Sequence, residues 1–302
     1  MPDIILSIKI DVDTDRGTRL GVPSLLSLFD DFGVKATFLF SLGPDNTGRA
    51  IKRIFRPGFF SKVSRTSVVS VYGVRTLLNG VLLPGPHVGR RNEGVLRQVR
   101  DKGHEAGIHC YDHIKWQDGL AKMTGAEVRE EFDKARKEFE RIFGGPARAA
   151  GAAGWQANAL SLGAEDEAGL LYASDCRGTH PFYPRTGGQA FKTLQIPSTL
   201  PTLDELLGRP EYPDERLVAH YLSLLKTGIP NVLTIHAELE GMKYLPLFRS
   251  FLEQAKARDI RFTLLCDLAA ELLKAPSAIP DCDLVPGTVD GRSGTLAVQR
   301  CS

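Results

Sequence analysis

Residues 6–18 read LSIKIDVDTDRGT, an alternating apolar run that ends in three acids, Asp11, Asp13 and Asp15. Alternation with a period of two predicts a β-strand, and residues i and i+2 of a strand share one face. Asp11 and Asp13 therefore point the same way, and their carboxylates repel each other unless something offsets the charge. One interpretation is a solvated strand-to-helix turn in which Asp15 or Thr18 caps the next helix. The other is a cation site at the end of the strand.

The composition is that of a globular protein with a sizeable core. The chain has 302 residues, of which 42% are hydrophobic and 25% charged, and its formal net charge is only +2. We see no secretory signal and no apolar run of 18 residues, and therefore expect no membrane-spanning helix. The five cysteines are scattered, odd in number and without a C-x-x-C pair. This pattern favours a reducing compartment and argues against a disulfide framework.

Predicted strands and helices alternate along the chain. The clearest helices are VPSLLSLFDDFG (22–33), GVLRQVRDKG (94–103) and GAEVREEFDKARKEFERIFG (125–144). The strand signals are IILSIKI, VKATFLFSL, EAGIHC, ARAAGAAG, LLYASDC, TLQIPST, NVLTIHAE and IRFTLLCD. This order indicates an α/β fold of parallel βα units, in which chemistry takes place at the carboxyl ends of the strands.

Several of the predicted strands end on a polar group that can do chemistry. Besides Asp11 and Asp13, these groups are His109 after EAGI, Asp175 after LLYAS and His236 after VLTI. A single ending of this kind would carry little weight. Four of them on one face of a barrel predict a functional site.

The segment GIHCYDH supplies His109 and His113 at spacing i, i+4. If the chain turns helically after the strand, both imidazoles face one way. With Asp13 they offer two nitrogens and one carboxylate oxygen, and they leave coordination positions open, as in a catalytic metal site. The His pair alone is a weak signal, but its combination with Asp-x-Asp and a further strand-end His is much stronger. We predict one divalent metal ion, which such ligands accept as Zn, Mn, Co, Ni or Fe.

The motifs IDVDT, GHEAGIHCYDH, SDCRG and TIHAELEG together resemble the NodB-type polysaccharide deacetylase family. DVDTDRGTR, FSLGPDN, AGWQAN and QIPSTLPT further resemble a subgroup that deformylates 4-deoxy-4-formamido-L-arabinose carried on undecaprenyl phosphate. The resemblance covers about residues 4 to 270. It implies a distorted (β/α) barrel with fewer than eight regular strands. It also implies a metal-dependent amide hydrolase that serves lipid A modification and resistance to cationic peptides such as polymyxin.

The resemblance implies roles for the strand-end residues. Asp11 matches the general base and Asp13 the metal-binding aspartate. His109 and His113 match the two histidine ligands, and His236 matches the general acid. The base would take a proton from the attacking water, and the acid would protonate the leaving sugar nitrogen.

The third motif of the family usually carries an Arg and a Pro, whereas the corresponding AGAAGWQAN has neither. Another residue must then orient the base, and Arg177 in SDCRG is the first candidate. Asp175 belongs to the fourth motif and is expected to support the catalytic histidine or the base. Trp155 either lines the sugar pocket or fills the core. Glu238 and Glu240 either bind the sugar or its new amine, or are exposed loop acids.

Residues 46–92, here called the basic insert, carry nine bases and no acid, interleaved with large apolar side chains. This pattern suits an amphipathic element on an anionic membrane surface, or a cradle for a lipid-linked phosphate. The alternative is a helical hairpin that packs on the barrel with solvated bases. The bases expected to contact lipid are Arg49, Lys52, Arg53, Arg56, Lys62 and Arg65.

With the basic insert, the resemblance implies a peripheral protein on the cytoplasmic face of the inner membrane, whose partners are a polyprenyl-phosphate-linked sugar and an anionic membrane surface. We expect no nucleic acid partner, and no protein partner is identifiable. Two other functions compete with the deformylase: deacetylation of another polysaccharide or N-acyl sugar, and a non-catalytic sugar- or lipid-binding barrel. Residues 1–274 are predicted to form a single catalytic barrel, followed by a Pro/Gly/Ser-rich tail, residues 275–302, that is loose or folds back over the barrel mouth.

Overall fold

The fold was taken from a computed structural model, which describes residues 4–50 and 76–301. Its strands are β1 (Ile5–Val12), β2 (Thr37–Ser41), β3 (Glu105–Cys110), β4 (Ala149–Ala150), β5 (Tyr172–Ala173), β6 (Tyr183–Thr186), β7 (Gln189–Ala190), β8 (Leu194–Gln195), β9 (Asn231–His236), β10 (Arg261–Phe262), β11 (Asp281–Gly287) and β12 (Leu296–Arg300). Its α-helices are α1 (Val22–Phe32), α2 (Val88–Arg91), α3 (Glu93–Asp101), α4 (His113–Gly119), α5 (Gly125–Phe143), α6 (Ala159–Ala168), α7 (Leu203–Leu206), α8 (Leu217–Leu224), α9 (Leu245–Lys256) and α10 (Leu265–Leu272). Within the described ranges, every helix is too short or too polar to cross a bilayer.

Eight strands form one curled, wholly parallel sheet. β1 pairs with β9 along one side and with β2 and the short β10 along the other, and β3, β4, β5 and β8 follow β2 in that order. Beyond β8, the backbone N–H groups of Thr199 and Leu200 donate to the Val232 carbonyl in β9, at 3.1 and 3.2 Å. This arrangement confirms the predicted distorted (β/α) barrel. Because the strands are parallel, their carboxyl ends meet at one edge, here called the carboxyl edge, which Val12, Ser41, Cys110 and His236 reach.

The two faces of β1 have different chemistry. Its apolar side chains are buried among the helices outside the sheet, in one cluster with α1 and α9: Leu6, Ile8, Ile10 and Val12. The alternate positions, which face the barrel interior, carry polar or charged groups: Ser7, Lys9, Asp11 and Asp13. A strand that is buried on both faces is usual in a parallel sheet, but charges on its inner face are not. The interior of β1 therefore belongs to a site.

The long helix predicted from the 3.6-residue period is present as α5. Thr124 and Glu127 form its capping box, and Gly144 ends it in the left-handed region at φ 73°. Helix α1 ends in the same way at Gly33, φ 60°. Local sequence signals decide both boundaries.

Other strand predictions were too long. β4, β5, β8 and β10 contain two residues each. The predicted strand IRFTLLCD was wrong in its second half, because helix α10 already begins at Leu265. The Leu265 backbone N–H donates to the Thr37 hydroxyl of β2, and this tertiary contact accounts for the early turn into helix.

The C-terminal segment folds back onto the barrel. β11 pairs with β6 in parallel and with β12 antiparallel, which forms a second, four-stranded sheet with β7. The cysteine pattern argued against a disulfide framework, but Cys282 and Cys301 are bonded. In the register of β11 and β12 these two residues stand opposite each other, with Cα atoms 4.6 Å apart. A cross-strand pair separated by 19 residues leaves no spacing motif in the sequence.

His104 is a buried structural residue of the turn before β3. Its Nδ1 accepts from the Ala36 backbone N–H at 3.1 Å, and its ring contacts Phe29 and Phe38. Burial, with help from the Lys35 charge, lowers its pKa from 6.5 to about 4. The folded state therefore keeps this imidazole neutral at pH values where the unfolded chain protonates it.

The stability that His104 contributes is consequently full above pH 6.5 and is lost as the pH falls towards 4. The loss is about 3 kcal/mol at most, since each pKa unit is worth about 1.4 kcal/mol. We expect His104→Asn, which keeps an acceptor for the Ala36 N–H, to be less stable at neutral pH but to lose less stability between pH 7 and 5 than the wild type. Urea unfolding at the two pH values measures this difference, and an identical pH dependence in both proteins would contradict it.

Candidate active site

Three of the predicted residues converge at the carboxyl edge. The Nε2 atoms of His109 and His113 lie 3.3 and 3.4 Å from Oδ1 of Asp13. One donor atom from each residue falls within 4.8 Å of the others, and the Asp13 oxygen is buried with no hydrogen-bond partner among the described residues. Two imidazole nitrogens and an otherwise unsatisfied carboxylate oxygen are the donor set that a divalent transition metal prefers. The residues present therefore fit such an ion.

His109 is positioned by a bulge and a backbone contact. Phe40 of β2 pairs with Ile108 and Ser41 pairs with Cys110, so His109 is an extra residue in β3. Its Nδ1 donates to the Gly151 carbonyl at 2.6 Å, which leaves Nε2 facing Asp13. The hydrogen bond to Gly151 fixes the tautomer and the ring orientation that an imidazole needs in order to coordinate a metal.

Asp175 contributes indirectly to the position of His109. Its carboxylate accepts from the Ala152 backbone N–H and from the Gln195 amide, each at 2.7 Å. These bonds hold the loop after β4, and that loop presents the Gly151 carbonyl to His109. Asp175 thus reaches the site through the backbone and not through a direct contact with Asp13, His109 or His113.

His113 is the first residue of helix α4. Asp112 caps this helix by accepting from the Lys115 backbone N–H at 3.0 Å, and its second oxygen accepts from the Asn46 amide at 2.7 Å. The helical turn predicted after β3 is present, and it places both imidazoles on one side, with ring centroids 5.3 Å apart. The bond from Asn46 ties this wall of the site to the start of the basic insert.

Asp11 and His236 stand side by side on neighbouring strands, as register partners of β1 and β9. Oδ1 of Asp11 and Nδ1 of His236 are both buried, and each lacks a hydrogen-bond partner within the described part of the chain. The other carboxylate oxygen, Oδ2 of Asp11, lies 3.4 Å from the ammonium of Lys9. An acceptor atom and a ring nitrogen that both face the same space can move protons there.

The neighbouring carboxylates raise the pKa values of His236 and His109. Burial lowers the pKa of His236, but the carboxylates of Asp13, Asp204 and Asp11 outweigh it and raise the pKa above its ordinary value. Burial likewise opposes charge on His109, and the neighbouring acids again outweigh it, so that its pKa is raised. Burial raises the pKa of Asp13, yet His113 and His109 bring it well below its usual range.

Glu238 and Glu240 are buried and are not exposed loop acids. One oxygen of Glu238 accepts from the backbone N–H groups of Asp13 and Thr14 and from the Thr14 hydroxyl, at 3.1, 2.9 and 2.7 Å. Glu240 accepts from the His236 backbone N–H at 2.9 Å. Both side chains are buried, which raises the pKa of Glu238 to about 8 and that of Glu240 to about 7. The two acids hold the ends of β1 and β9 in place.

Arg177 does not orient Asp11, so this prediction was wrong. Its guanidinium donates to Glu205 at 2.6 Å and to the Leu200 carbonyl at 2.8 Å. Lys9 occupies the position beside Asp11 instead. In the sequence, Lys9 stands two residues before Asp11 and therefore on the same face of the strand. The search for an orienting residue in the family motifs overlooked this signal.

Trp155 fills the core and does not line an open pocket. It is 2% exposed, and its indole N–H donates to the Ser198 hydroxyl at 3.1 Å. Three cations surround the ring within 5.4 Å of its centre: Lys9, Arg177 and Arg292. Arg292 comes from the C-terminal segment, which therefore reaches the barrel beside the site.

Asp15 caps no helix, contrary to the first interpretation of the opening stretch. It accepts from the Asn92 amide at 2.9 Å, and its backbone N–H donates to Asp45. Thr18 donates to the Thr14 carbonyl within the π-helical turn Gly17–Gly21, and α1 begins without a side-chain cap. The two residues shape the turn that leaves the site.

Most of the lipid-contact bases predicted in the basic insert lie outside the described residues: Lys52, Arg53, Arg56, Lys62 and Arg65. Arg49 is described, is exposed, and donates to the Gly80 carbonyl at 3.0 Å. Further along the insert, Val81, Leu82 and Leu83 are 53%, 75% and 41% exposed. Three consecutive exposed apolar side chains are an uncommon surface for a protein that meets only water.

The family model for polysaccharide deacetylases matches residues 12–173 of the chain. The chain belongs to this family, and it is therefore a hydrolase of the class that acts on amide C–N bonds. The fold agrees with this assignment: a structure of a probable polysaccharide deacetylase from Pseudomonas aeruginosa PAO1 superposes with a TM-score of 0.62, at 18% identity, over 90% of this chain and 92% of that one.

Two relatives are similar over almost their whole length. One is the "Probable 4-deoxy-4-formamido-L-arabinose-phosphoundecaprenol deformylase ArnD" of Shewanella sediminis (strain HAW-EB3), 39% identical over 97% of this chain and 94% of the relative. The other carries the same name in Wigglesworthia glossinidia brevipalpis and is 33% identical over 94% of this chain and 98% of the relative. The resemblance to the polysaccharide deacetylases is thereby confirmed.

Proposed function

We propose that the protein is a metal-dependent deformylase of 4-deoxy-4-formamido-L-arabinose linked to undecaprenyl phosphate. The observation that carries the proposal is the 39% identity to a deformylase of that name over 97% of the chain. The chemistry that amide hydrolysis needs would come from five residues near the carboxyl edge of the barrel: Asp11, Asp13, His109, His113 and His236. The product would serve lipid A modification and resistance to cationic peptides such as polymyxin.

The proposed metal ligands are Asp13, His109 and His113. A divalent cation held there would polarise the amide carbonyl and make water a better nucleophile at neutral pH. Gly151, through its carbonyl, keeps Nε2 of His109 available, and Glu238 holds the Asp13 backbone. The protein thus presents the ligands in one fixed arrangement.

The proposed proton transfers use the two groups that flank the ligands. Asp11, with one buried oxygen free of hydrogen bonds among the described residues, accepts the proton of the attacking water. His236, whose pKa the neighbouring carboxylates raise, donates a proton to the departing sugar nitrogen. The leaving amine would otherwise depart as an anion, which is far too basic to leave at neutral pH.

The substrate proposal is tested with four molecules: the formamido sugar and its acetamido counterpart, each with and without the polyprenyl phosphate. We expect the highest kcat/KM for the lipid-linked formamide. Preference for the acetamides would favour the second candidate function, deacetylation of another N-acyl sugar, which the family's name supports. Equal kcat/KM for the tailed and tail-less formamides would rule out a role for the lipid in recognition.

We also propose that the basic insert holds the enzyme on an anionic membrane surface and guides the lipid-linked phosphate to the barrel mouth. The insert follows β2, so it leaves the barrel at the carboxyl edge, where the site lies. Its described part displays the apolar residues Val81–Leu83 and the exposed bases Arg49, Arg90 and Arg91. Each base near such a surface is worth about 1 kcal/mol, within a Debye length of about 8 Å at physiological salt.

We expect the triple variant Lys52→Glu/Arg53→Glu/Arg56→Glu to bind anionic vesicles far more weakly than the wild type at low salt, since three attractions become repulsions. Its activity on a tail-less formamido sugar should hardly change, because the ligand set is untouched. Vesicle flotation at low and high salt is the measurement.

A matched control is Lys256→Glu/Arg258→Glu/Arg261→Glu, which changes the net charge equally. These three residues are exposed and precede or begin β10, at the opposite edge of the sheet from the site. The control protein should float like the wild type. Equal flotation of the insert variant and the wild type at low salt would show that the insert does not bind the membrane through these bases.

A further inference from the structure

Lys9 is an unusual residue for the middle of a parallel strand. Its side chain is 0% exposed, although an ammonium in the interior of a barrel is costly unless it is paired. The Nζ atom lies 3.4 Å from Oδ2 of Asp11, which is the one carboxylate within ion-pair distance of Lys9 in the described residues. Asp11, in turn, has Lys9 beside one oxygen and Nδ1 of His109 at 3.8 Å from the other.

The surroundings of Lys9 fix its position. Its Nζ donates to the Ser174 carbonyl at 3.2 Å and lies 5.3 Å from the centre of the Trp155 ring. A Cβ atom at Gly151 would stand 3.5 Å from this Nζ and 2.5 Å from a methyl group of Leu39. Residue 151 thus packs closely beside the ammonium, and a side chain there would clash with Leu39. The Ser174 carbonyl after β5 and the Trp155 ring in the loop after β4 thus both contact one ammonium.

Other cations near the site are engaged elsewhere. Arg177 and Arg292 both contact Glu205, at 2.6 and 3.4 Å. The strand geometry also favours Lys9, because it stands two residues before Asp11 on the same face of β1, and a rigid strand fixes their separation. The lysine contacts one oxygen of Asp11 and leaves the other without a hydrogen-bond partner among the described residues, 3.8 Å from Nδ1 of His109.

We propose that Lys9 is the positioning residue of the general base: its ammonium holds one oxygen of Asp11 so that the other faces the attacking water. The proposal rests on the proposed function only in its kinetic part. Lys9 touches no reacting atom and acts through Asp11 alone. Two consequences follow, one for turnover and one for stability.

The test is a double-mutant cycle of Lys9→Met, which keeps the length of the side chain and removes its charge, with Asp11→Asn. We expect Lys9→Met to lower kcat by roughly 10²-fold, the usual effect of a misplaced reacting group, with KM and bound metal nearly unchanged. In the Asp11→Asn protein the same change should lower kcat no further. Lys9→Arg, which restores a cation, should recover at least part of the loss.

Thermal unfolding of the same four proteins is the second readout. Lys9→Met alone leaves the Asp11 carboxylate buried without its partner and should lower the melting temperature, whereas adding Asp11→Asn should restore it. If Lys9→Met does not fold but the double variant does, the pair is demonstrated. Ser7→Ala, on the same buried face of β1, is the control for a change that breaks no ion pair.

Equal effects of Lys9→Met with and without Asp11, in either readout, would overturn the proposal, because Lys9 would then be a structural residue only. Failure of the double variant to fold would overturn it too. A wild-type protein that releases no formate would refute the proposed function, while the unfolding cycle would still decide whether Lys9 and Asp11 act together.

Discussion

His113→Ala is expected to abolish both metal binding and turnover. The alanine removes one of only three side chains proposed to hold the ion, and the remaining pair, Asp13 and His109, would have to retain it alone. The loss of turnover should be roughly 10³-fold or more, since a metal ion contributes several kcal/mol of transition-state stabilisation. Metal analysis of the purified variant and formate release by the same sample are the two measurements.

His220→Ala is the matched control for this variant. His220 lies on helix α8 and contacts the rings of Tyr212 and Tyr221, away from the ligand set. The His220→Ala protein should keep its metal and its activity. Full metal occupancy in His113→Ala would remove this residue from the ligand set and end the assignment.

Asp11→Asn should differ from His113→Ala, because it should lose turnover but keep the metal. The amide is nearly the same size as the carboxylate but cannot accept the proton of the attacking water, which should cost roughly 10²–10⁴-fold in kcat. His236→Ala should behave likewise, because this residue acts on the leaving nitrogen. Metal content and kcat, measured on one preparation of each variant, separate the two roles.

The control for the aspartate is Asp31→Asn, which removes an exposed charge paired with Arg249 on the outside of the barrel. Its activity should equal that of the wild type. Should Asp11→Asn lose its metal, Asp11 would be a ligand, and the base would have to be sought elsewhere.

The predicted site residues were accessible from the sequence because each lies at the end of a strand, just after it, or at the start of the next helix. Asp13, His109, His113 and His236 could be placed on one edge as soon as the strands were taken to be parallel. The bulge that adds His109 to β3 could not be predicted from the sequence. It changes the direction of the His109 side chain but not the position of the residue at the carboxyl edge. Local pattern and parallel topology together were sufficient for these residues.

The surroundings of the site could not be predicted in this way, because they depend on contacts between distant segments. Arg177 was taken as the partner of Asp11, but it pairs with Glu205, 28 residues further along the chain. Glu238 follows a strand-end histidine, and from the sequence alone it resembles an exposed loop acid. The structure shows instead that one of its oxygens accepts three hydrogen bonds from residues 13 and 14. The Cys282–Cys301 bond depends in the same way on the register of two late strands.

Formate release from the undecaprenyl-phosphate-linked formamido sugar tests the central claim most directly. The metal-loaded wild type should release one formate and produce one primary amine for each sugar consumed. Chelation should stop the reaction, and the addition of a divalent transition metal should restore it. No formate from a metal-loaded protein that binds this substrate, or undiminished release after complete removal of the metal, would contradict the account.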